Sequence, residues 1–115
     1  MASVEECRAA LDRLGEHFHQ IGPEDRAKHV VERTLSCHIS DLGVTFYGRI
    51  HPDGLDPFRQ TPPPNGAPAQ VRLTVSSDDL VDLVDGKLDM AKALFSGRLK
   101  VDASLGDLLR LRRLL

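Results

Sequence analysis

The chain has 115 residues, a formal net charge of −2, and a composition that is 41% hydrophobic and 28% charged. This length is typical of a single domain with one hydrophobic core, residues 1–115, and the interspersed acidic and basic residues give no indication of a nucleic-acid partner. No apolar run approaches the ~18 residues of a membrane span, and the N-terminal segment lacks a signal-sequence pattern, so we expect a soluble, cytoplasmic protein without stable membrane insertion.

The N-terminal segment is predicted to form an amphipathic helix. Ser3 and Glu6 match the Ser-x-x-Glu capping pattern, in which each side chain accepts a hydrogen bond from the other residue's backbone N–H. Gly22-Pro23 is predicted to end the helix, because proline disfavours helical backbone in the residue before it. Between these signals, apolar residues recur every three or four positions and predict a single docking face: Val4, Cys7, Leu11, Leu14, Phe18 and Ile21.

Three strands are predicted in the next part of the chain. Residues 30–39 and 44–50 alternate apolar and polar side chains, and the tight turn at 41–43 between them is typical of an antiparallel hairpin. A short third strand is predicted near residues 55–60, where Pro57 favours a position at the sheet edge. Residues 61–68 contain four of the seven prolines, which predicts an exposed loop.

Residues 69–115 change hydrophobic period at each junction, which predicts strand, helix, helix, strand, helix. Both strands carry apolar side chains at alternate positions: Val71, Leu73 and Val75 in the first, and Leu99 and Val101 in the second. Helix boundaries are predicted from N-caps at Ser76 or Ser77, Asp89 and Ser104, and from stops at Gly86 and Gly97.

The alternation in these strands is one-sided, as expected for a sheet with helices on one face and water on the other. We therefore predict a two-layer α+β domain with a mostly antiparallel sheet.

The sequence from residue 69 onward resembles the sterol carrier protein 2 (sterol-binding) domain family. The most specific matching segments are Gly86-Lys87-Leu88 and Phe95-Ser96-Gly97-Arg98-Leu99-Lys100-Val101, while residues 30–60 match through the order of their strands. The resemblance implies a five-stranded sheet covered by helices, with an apolar tunnel between the two layers that takes lipid chains.

The predicted helices of the C-terminal part carry more apolar surface than docking requires. A surface helix needs an apolar stripe of about 100°, whereas leucines occupy most of the circumference of residues 105–115. Taken alone, such a surplus is typical of core packing; together with the resemblance, it predicts a lipid site and a gate formed by residues 104–115. The predicted lining residues are Phe46, Leu73, Leu80, Leu83, Val84, Met90, Leu94, Phe95, Leu99, Val101, Leu105, Leu108 and Leu109.

The predicted function is non-catalytic binding or transfer of a hydrophobic ligand, which is a fatty acid, a fatty acyl-CoA, a sterol or another lipid. The alternative is a protein-interaction or dimerisation module that uses the leucine-rich C-terminal helix, with a homodimer as one outcome.

No catalytic, cofactor or metal site is predicted. Cys37 and His38 are adjacent in a strand and point to opposite faces, and His17 and His19 diverge on a helix. The two cysteines, Cys7 and Cys37, fall on apolar faces and are interpreted as buried, reduced thiols.

Overall fold

The computed structural model describes residues 1–19, 32–51, 54–62, 66, 68–104 and 106. The predicted end of the first helix, the start of the first strand and the C-terminal helix lie outside these residues. The described elements, in chain order, are helix α1 (Val4–His19), strands β1 (Arg33–Ile39), β2 (Val44–His51), β3 (Gly54–Leu55) and β4 (Val71–Val75), helices α2 (Ser77–Val84) and α3 (Met90–Ser96), and strand β5 (Leu99–Asp102).

The strands form one five-stranded sheet in the order β3-β2-β1-β4-β5. The central pair β1–β4 is parallel, and the other neighbouring pairs are antiparallel. The predicted two-layer α+β fold with a mostly antiparallel sheet is therefore confirmed. The parallel pair arises because the chain leaves the β3 edge and returns to the centre of the sheet beside β1.

The two faces of the sheet differ in burial as the alternation predicts. In β1, Leu35, Cys37 and Ile39 are buried, whereas Ser36 and His38 between them are only partly buried. The helices therefore cover the face that carries the odd-numbered side chains of β1.

Helix α1 begins with the predicted capping pattern. The Glu6 amide donates to Ser3 Oγ at 3.1 Å, and the Ser3 amide donates to Glu6 Oε1 at 3.2 Å. Cys7 and Leu11 are buried in the core, and Arg13 pairs with Asp85 after α2 at 3.1 Å. The hydrophobic stripe and this ion pair hold α1 against α2.

The start of α2 is tied to two distant parts of the chain through the fully buried Ser77. Its amide and hydroxyl donate to the two carboxylate oxygens of Asp41 at 2.8 and 2.6 Å, and its hydroxyl accepts from the Ala2 amide at 3.1 Å. The hydrogen bond from the Ser77 hydroxyl is the main cause that holds the pKa of Asp41 below its usual value. Asp41 thus fastens the β1–β2 turn to α2.

The predicted boundaries of the two short helices are confirmed. Ser76, rather than Ser77, caps α2 by accepting from the Asp79 amide at 3.2 Å, and Asp89 caps α3 through its carboxylate. Gly97 ends α3 with φ +78°, a left-handed backbone conformation that glycine adopts without a steric cost.

The predicted third strand lies at the sheet edge but is interrupted. Leu55 pairs with Ile50, and Arg59 forms an isolated bridge with Tyr47. Between these pairs the register advances by one residue, so the segment at 56–57 forms a bulge, where Pro57 has no N–H to donate. A one-residue shift exchanges the two faces of a strand, and it brings the Phe58 side chain to the helix-covered face.

Candidate functional site

The helix-covered face of the sheet carries one continuous apolar row across four strands. Phe46 pairs with Cys37, Cys37 with Leu73, and Leu73 with Val101. Phe46 and Cys37 are 0% and 1% exposed, but Leu73 and Val101 are only partly buried although they share the same face. This row is therefore fully buried on β1 and β2 and only partly buried on β4 and β5.

The adjacent row shows that this opening is local. Ile39, Val75 and Leu99 lie side by side on β1, β4 and β5, and each is at most 4% exposed. This face is thus sealed at Val75 and Leu99, and on β4 also at Val71, while Leu73 and Val101 are only partly buried.

Helices α2 and α3 contribute further partly buried apolar side chains that pack against the core. Leu80 and Val84 are buried and anchor α2, and Ala93 is fully buried and anchors α3. Val81 and Leu83 on α2, Leu88 between the helices and Met90 on α3 are partly buried and pack against the core. Together with Leu73 and Val101, they are called here the open apolar surface.

Most of the predicted lining residues share this side of the sheet. Those that lie in the core or pack against it are Phe46, Leu73, Leu80, Leu83, Val84, Met90, Leu99 and Val101. The predicted residues Leu105, Leu108 and Leu109 lie outside the described part of the chain.

Two predicted lining residues are not gathered with the others. Leu94 is 46% exposed and Phe95 is 93% exposed on α3. Leu88 was not among the predicted lining residues, yet it packs against the core between α2 and α3. Leu88 lies in the segment Gly86-Lys87-Leu88, which carries the family resemblance, and that position could have indicated it as a lining residue.

Polar side chains occupy the opposite face of the sheet. His38 Nδ1 lies 2.9 Å from Thr45 Oγ1 there, while Cys37 points into the core, so the predicted divergence of Cys37 and His38 is confirmed. A cleft of about 240 Å³ lies on this face, lined by Ser36, Thr45, Tyr47, Pro62, Gly66, Pro68, Ala69 and Arg72. Because Asp102 pairs with Arg72 at 2.7 Å, the cationic group of this cleft is already neutralised.

Both cysteines are free and buried, as predicted. Burial is the main cause that raises the pKa of Cys37 to about 12, with a smaller contribution from Cys7, and burial likewise raises the pKa of Cys7. The thiolate is the reactive form, so neither cysteine has the environment of a nucleophile.

Alkylation measures this protection directly. With a pKa of about 12, Cys37 is ionised in only about one molecule in ten thousand near pH 8. We expect iodoacetamide to modify the native protein far more slowly than the urea-unfolded chain, as followed by intact mass. Equal rates in the native and unfolded protein would contradict the buried placement.

Within the described ranges, histidine, cysteine and carboxylate side chains form no group of three that could hold a metal ion. Among the same residues, none of the helices combines the length and apolar character that a membrane span requires.

Comparison with solved structures finds the same fold in several proteins. The crystal structure of sterol carrier protein 2 like 2 from Aedes aegypti is 14% identical, with a TM-score of 0.68 over 96% of this chain and 97% of that one. The solution structure of the palmitated form of that Aedes aegypti protein is 16% identical, with a TM-score of 0.64 over 97% and 93%. At these identities the likeness shows the fold alone.

A larger enzyme contains a similar part. The stereoselective inverting sec-alkylsulfatase Pisa1 from Pseudomonas sp. is 18% identical, with a TM-score of 0.62 over 88% of this chain. This chain spans only 15% of the length of that sulfatase. Among curated proteins, sequence comparison finds no significant match.

The two-layer fold, a five-stranded sheet with helices on one face, is the fold of the solved sterol carrier protein 2 domains. The chain belongs to the SCP-2 sterol transfer family, whose model matches residues 11–115.

Proposed function

We propose that this chain is a lipid-binding domain that holds the hydrocarbon part of its ligand against the open apolar surface. The observation that carries the proposal is the unequal burial of one row of side chains: Leu73 and Val101 remain partly open on a face where Phe46 is completely buried. Apolar surface left open beside a sealed core is stabilised when a hydrocarbon covers it.

The site proposed here extends from the buried floor of the sheet to the helices. Phe46 and Leu99 form the floor, and Leu80 and Val84 form the buried side of α2. Leu94 and Phe95, which are exposed on α3, are not part of this proposed site. Leu105, Leu108 and Leu109 are proposed to cover the ligand, with residues 104–115 as the gate.

Family membership supports the general class of ligand, and a palmitated relative shows that a protein with this fold carries an acyl chain. Each methylene removed from water contributes ~0.8 kcal/mol, so a chain of about ten carbons supplies ~8 kcal/mol before the costs of association. Leucine and methionine side chains also adapt to a flexible guest, because they have several accessible rotamers. A fatty acid, acyl-CoA ester or sterol is therefore bound mainly through its hydrocarbon.

The proposal is tested by a substitution that places a large side chain in the proposed site. Replacing Val101 with tryptophan places an indole ring beside Leu73, so we expect the affinity of the delipidated protein for a fluorescent fatty acid to fall at least about tenfold, the equivalent of roughly two buried methylenes. The matched control is Lys100→Trp, because Lys100 is exposed on the other face of the same strand. This control should bind the fatty acid as the unchanged protein does.

Two results would overturn the proposal. One is equal affinity of the Val101→Trp and Lys100→Trp variants for the fatty acid. The other is native mass spectra of gently purified protein that show only bare polypeptide, together with no heat of binding for fatty acids, acyl-CoA esters or sterols. Light scattering on the same samples tests the dimerisation alternative, in which a dimer forms without lipid.

A further inference from the structure

The tip of α3 exposes a large aromatic side chain to water. Phe95 is 93% exposed, whereas Phe46 and Phe58 are at most 9% exposed. Its neighbour Leu94 is 46% exposed. An aromatic ring and a leucine presented together at a helix end form an apolar projection rather than part of the core.

The opposite side of α3 explains why these side chains point outward. Ala93 is fully buried and fixes the face of the helix that packs on the protein. Lys92 and Phe95 are three residues apart and therefore lie on the same side of one turn. The left-handed Gly97 then reverses the chain, so that the exposed Arg98 follows directly after the tip.

Two cationic side chains flank this projection. Lys92 and Arg98 are exposed and form no ion pair with any described residue.

Two carboxylates of the flanking segments pair with other cations: Asp102 with Arg72, and Asp85 with Arg13. Asp89 accepts from amides at the start of α3 and keeps its negative charge there, at the end of the helix opposite to Phe95. The exposed apolar group is therefore flanked by two cations that form no ion pair with a described carboxylate.

We propose that this tip, formed by Lys92, Leu94, Phe95 and Arg98, docks the protein on a bilayer that contains anionic lipids. The phenylalanine ring enters the interfacial region, and the cations face the lipid phosphates, the arrangement by which amphipathic surface elements bind membranes peripherally. The cations of this tip do not form a polybasic run in the sequence, since Lys92 lies on α3 and Arg98 lies between α3 and β5. This proposal goes beyond ligand binding in the interior and does not require it.

The absence of tryptophan from the chain allows a direct test. The variant Phe95→Trp carries a single indole at the tip, and its emission should shift to shorter wavelength with phosphatidylcholine vesicles that contain phosphatidylglycerol. Brominated lipids in the same vesicles should quench it. The matched variant Arg59→Trp places the indole beside β2, far from the β5 edge in the strand order, and should show neither effect.

Vesicle sedimentation then separates the apolar and charged contributions. We expect Phe95→Ser to weaken binding to the phosphatidylglycerol vesicles about tenfold or more, the effect of exposing a ring that was buried. Each cation near an anionic surface contributes about fivefold, so Lys92→Gln with Arg98→Gln should weaken binding about twenty-five-fold, while Arg59→Gln should leave it unchanged. Raising the salt concentration should release the protein, because the Debye length falls from about 10 Å at 0.1 M to about 3 Å at 1 M.

Several outcomes would overturn the docking proposal. These are equal binding to vesicles with and without phosphatidylglycerol, undiminished binding of Phe95→Ser, or a dimer in light scattering that Phe95→Ser abolishes in the absence of vesicles. None of them alters the fatty-acid titration in solution, so the two proposals fail independently.

Discussion

Replacing Phe46 with alanine is expected to lower the free energy of unfolding by about 3–5 kcal/mol, as found for large-to-small changes at buried aromatic positions. Phe46 is completely buried and lies directly opposite Cys37 in the centre of the apolar row. Removing the ring loses its transfer free energy and leaves a cavity that the sheet cannot close, because β1 and β2 are held by a continuous ladder. Since the free energy of unfolding of a small domain is only ~5–15 kcal/mol, this variant should keep little of its stability.

The matched control is the same substitution at the exposed phenylalanine. Phe95→Ala removes an identical side chain that is 93% exposed, so we expect the free energy of unfolding to change by no more than about 0.5 kcal/mol. Urea unfolding followed by circular dichroism measures both variants. Comparable destabilisation at the two positions would show that Phe95 is covered and would contradict the placement of α3.

The second large effect is expected at Gly48. A Cβ at this position would lie 2.7–3.0 Å from three ring carbons of Phe58, closer than such atoms pack. Phe58 is 9% exposed, and Arg59 beside it is hydrogen-bonded to Tyr47 in both directions, so the ring cannot move away freely. We expect Gly48→Ala to lower the free energy of unfolding by about 1–3 kcal/mol, the usual cost of overpacking.

A glycine in helix α1 provides the opposite control. Gly15 has no atom within 4 Å of the position of a new Cβ, so Gly15→Ala should raise the free energy of unfolding by about 0.5–1 kcal/mol. Combining Gly48→Ala with Phe58→Leu should destabilise the protein by less than the sum of the two single changes, because the smaller side chain leaves room for the methyl group. Additive effects of these two changes in urea unfolding would rule out the steric explanation.

Alternation of apolar and polar residues in the strands predicts only part of the proposed lipid site. Alternation in residues 71–75 and 99–101 correctly placed Leu73, Leu99 and Val101 on one face, because successive side chains of a strand point to opposite sides. The pattern could not distinguish the sealed Leu99 from the open Val101. That difference depends on how the packed layers cover each position, which the alternation within one strand does not specify.

The outward direction of Leu94 and Phe95 on α3 could not be predicted from the hydrophobic pattern. Two successive positions, Leu94 and Phe95, were assigned to the apolar lining from their residue type and from the resemblance. On a helix of seven residues anchored by Ala93, both lie away from the core. Their outward direction follows from the rotation of α3 against β5, which no short-range pattern specifies.

Local interactions determined what the sequence alone predicts here: the capping pair Ser3 and Glu6, the caps at Ser76 and Asp89, the stop at Gly97, and the two faces of each strand. These features involve groups within a few residues of one another, so their chemistry is readable from spacing. The parallel pairing of β1 with β4, the bulge that turns Phe58 onto Gly48, and the open stretch at Leu73 and Val101 involve groups that are distant in the chain. Only the tertiary structure decided them, because long-range contacts depend on how whole layers fit together and not on any residue's own preference.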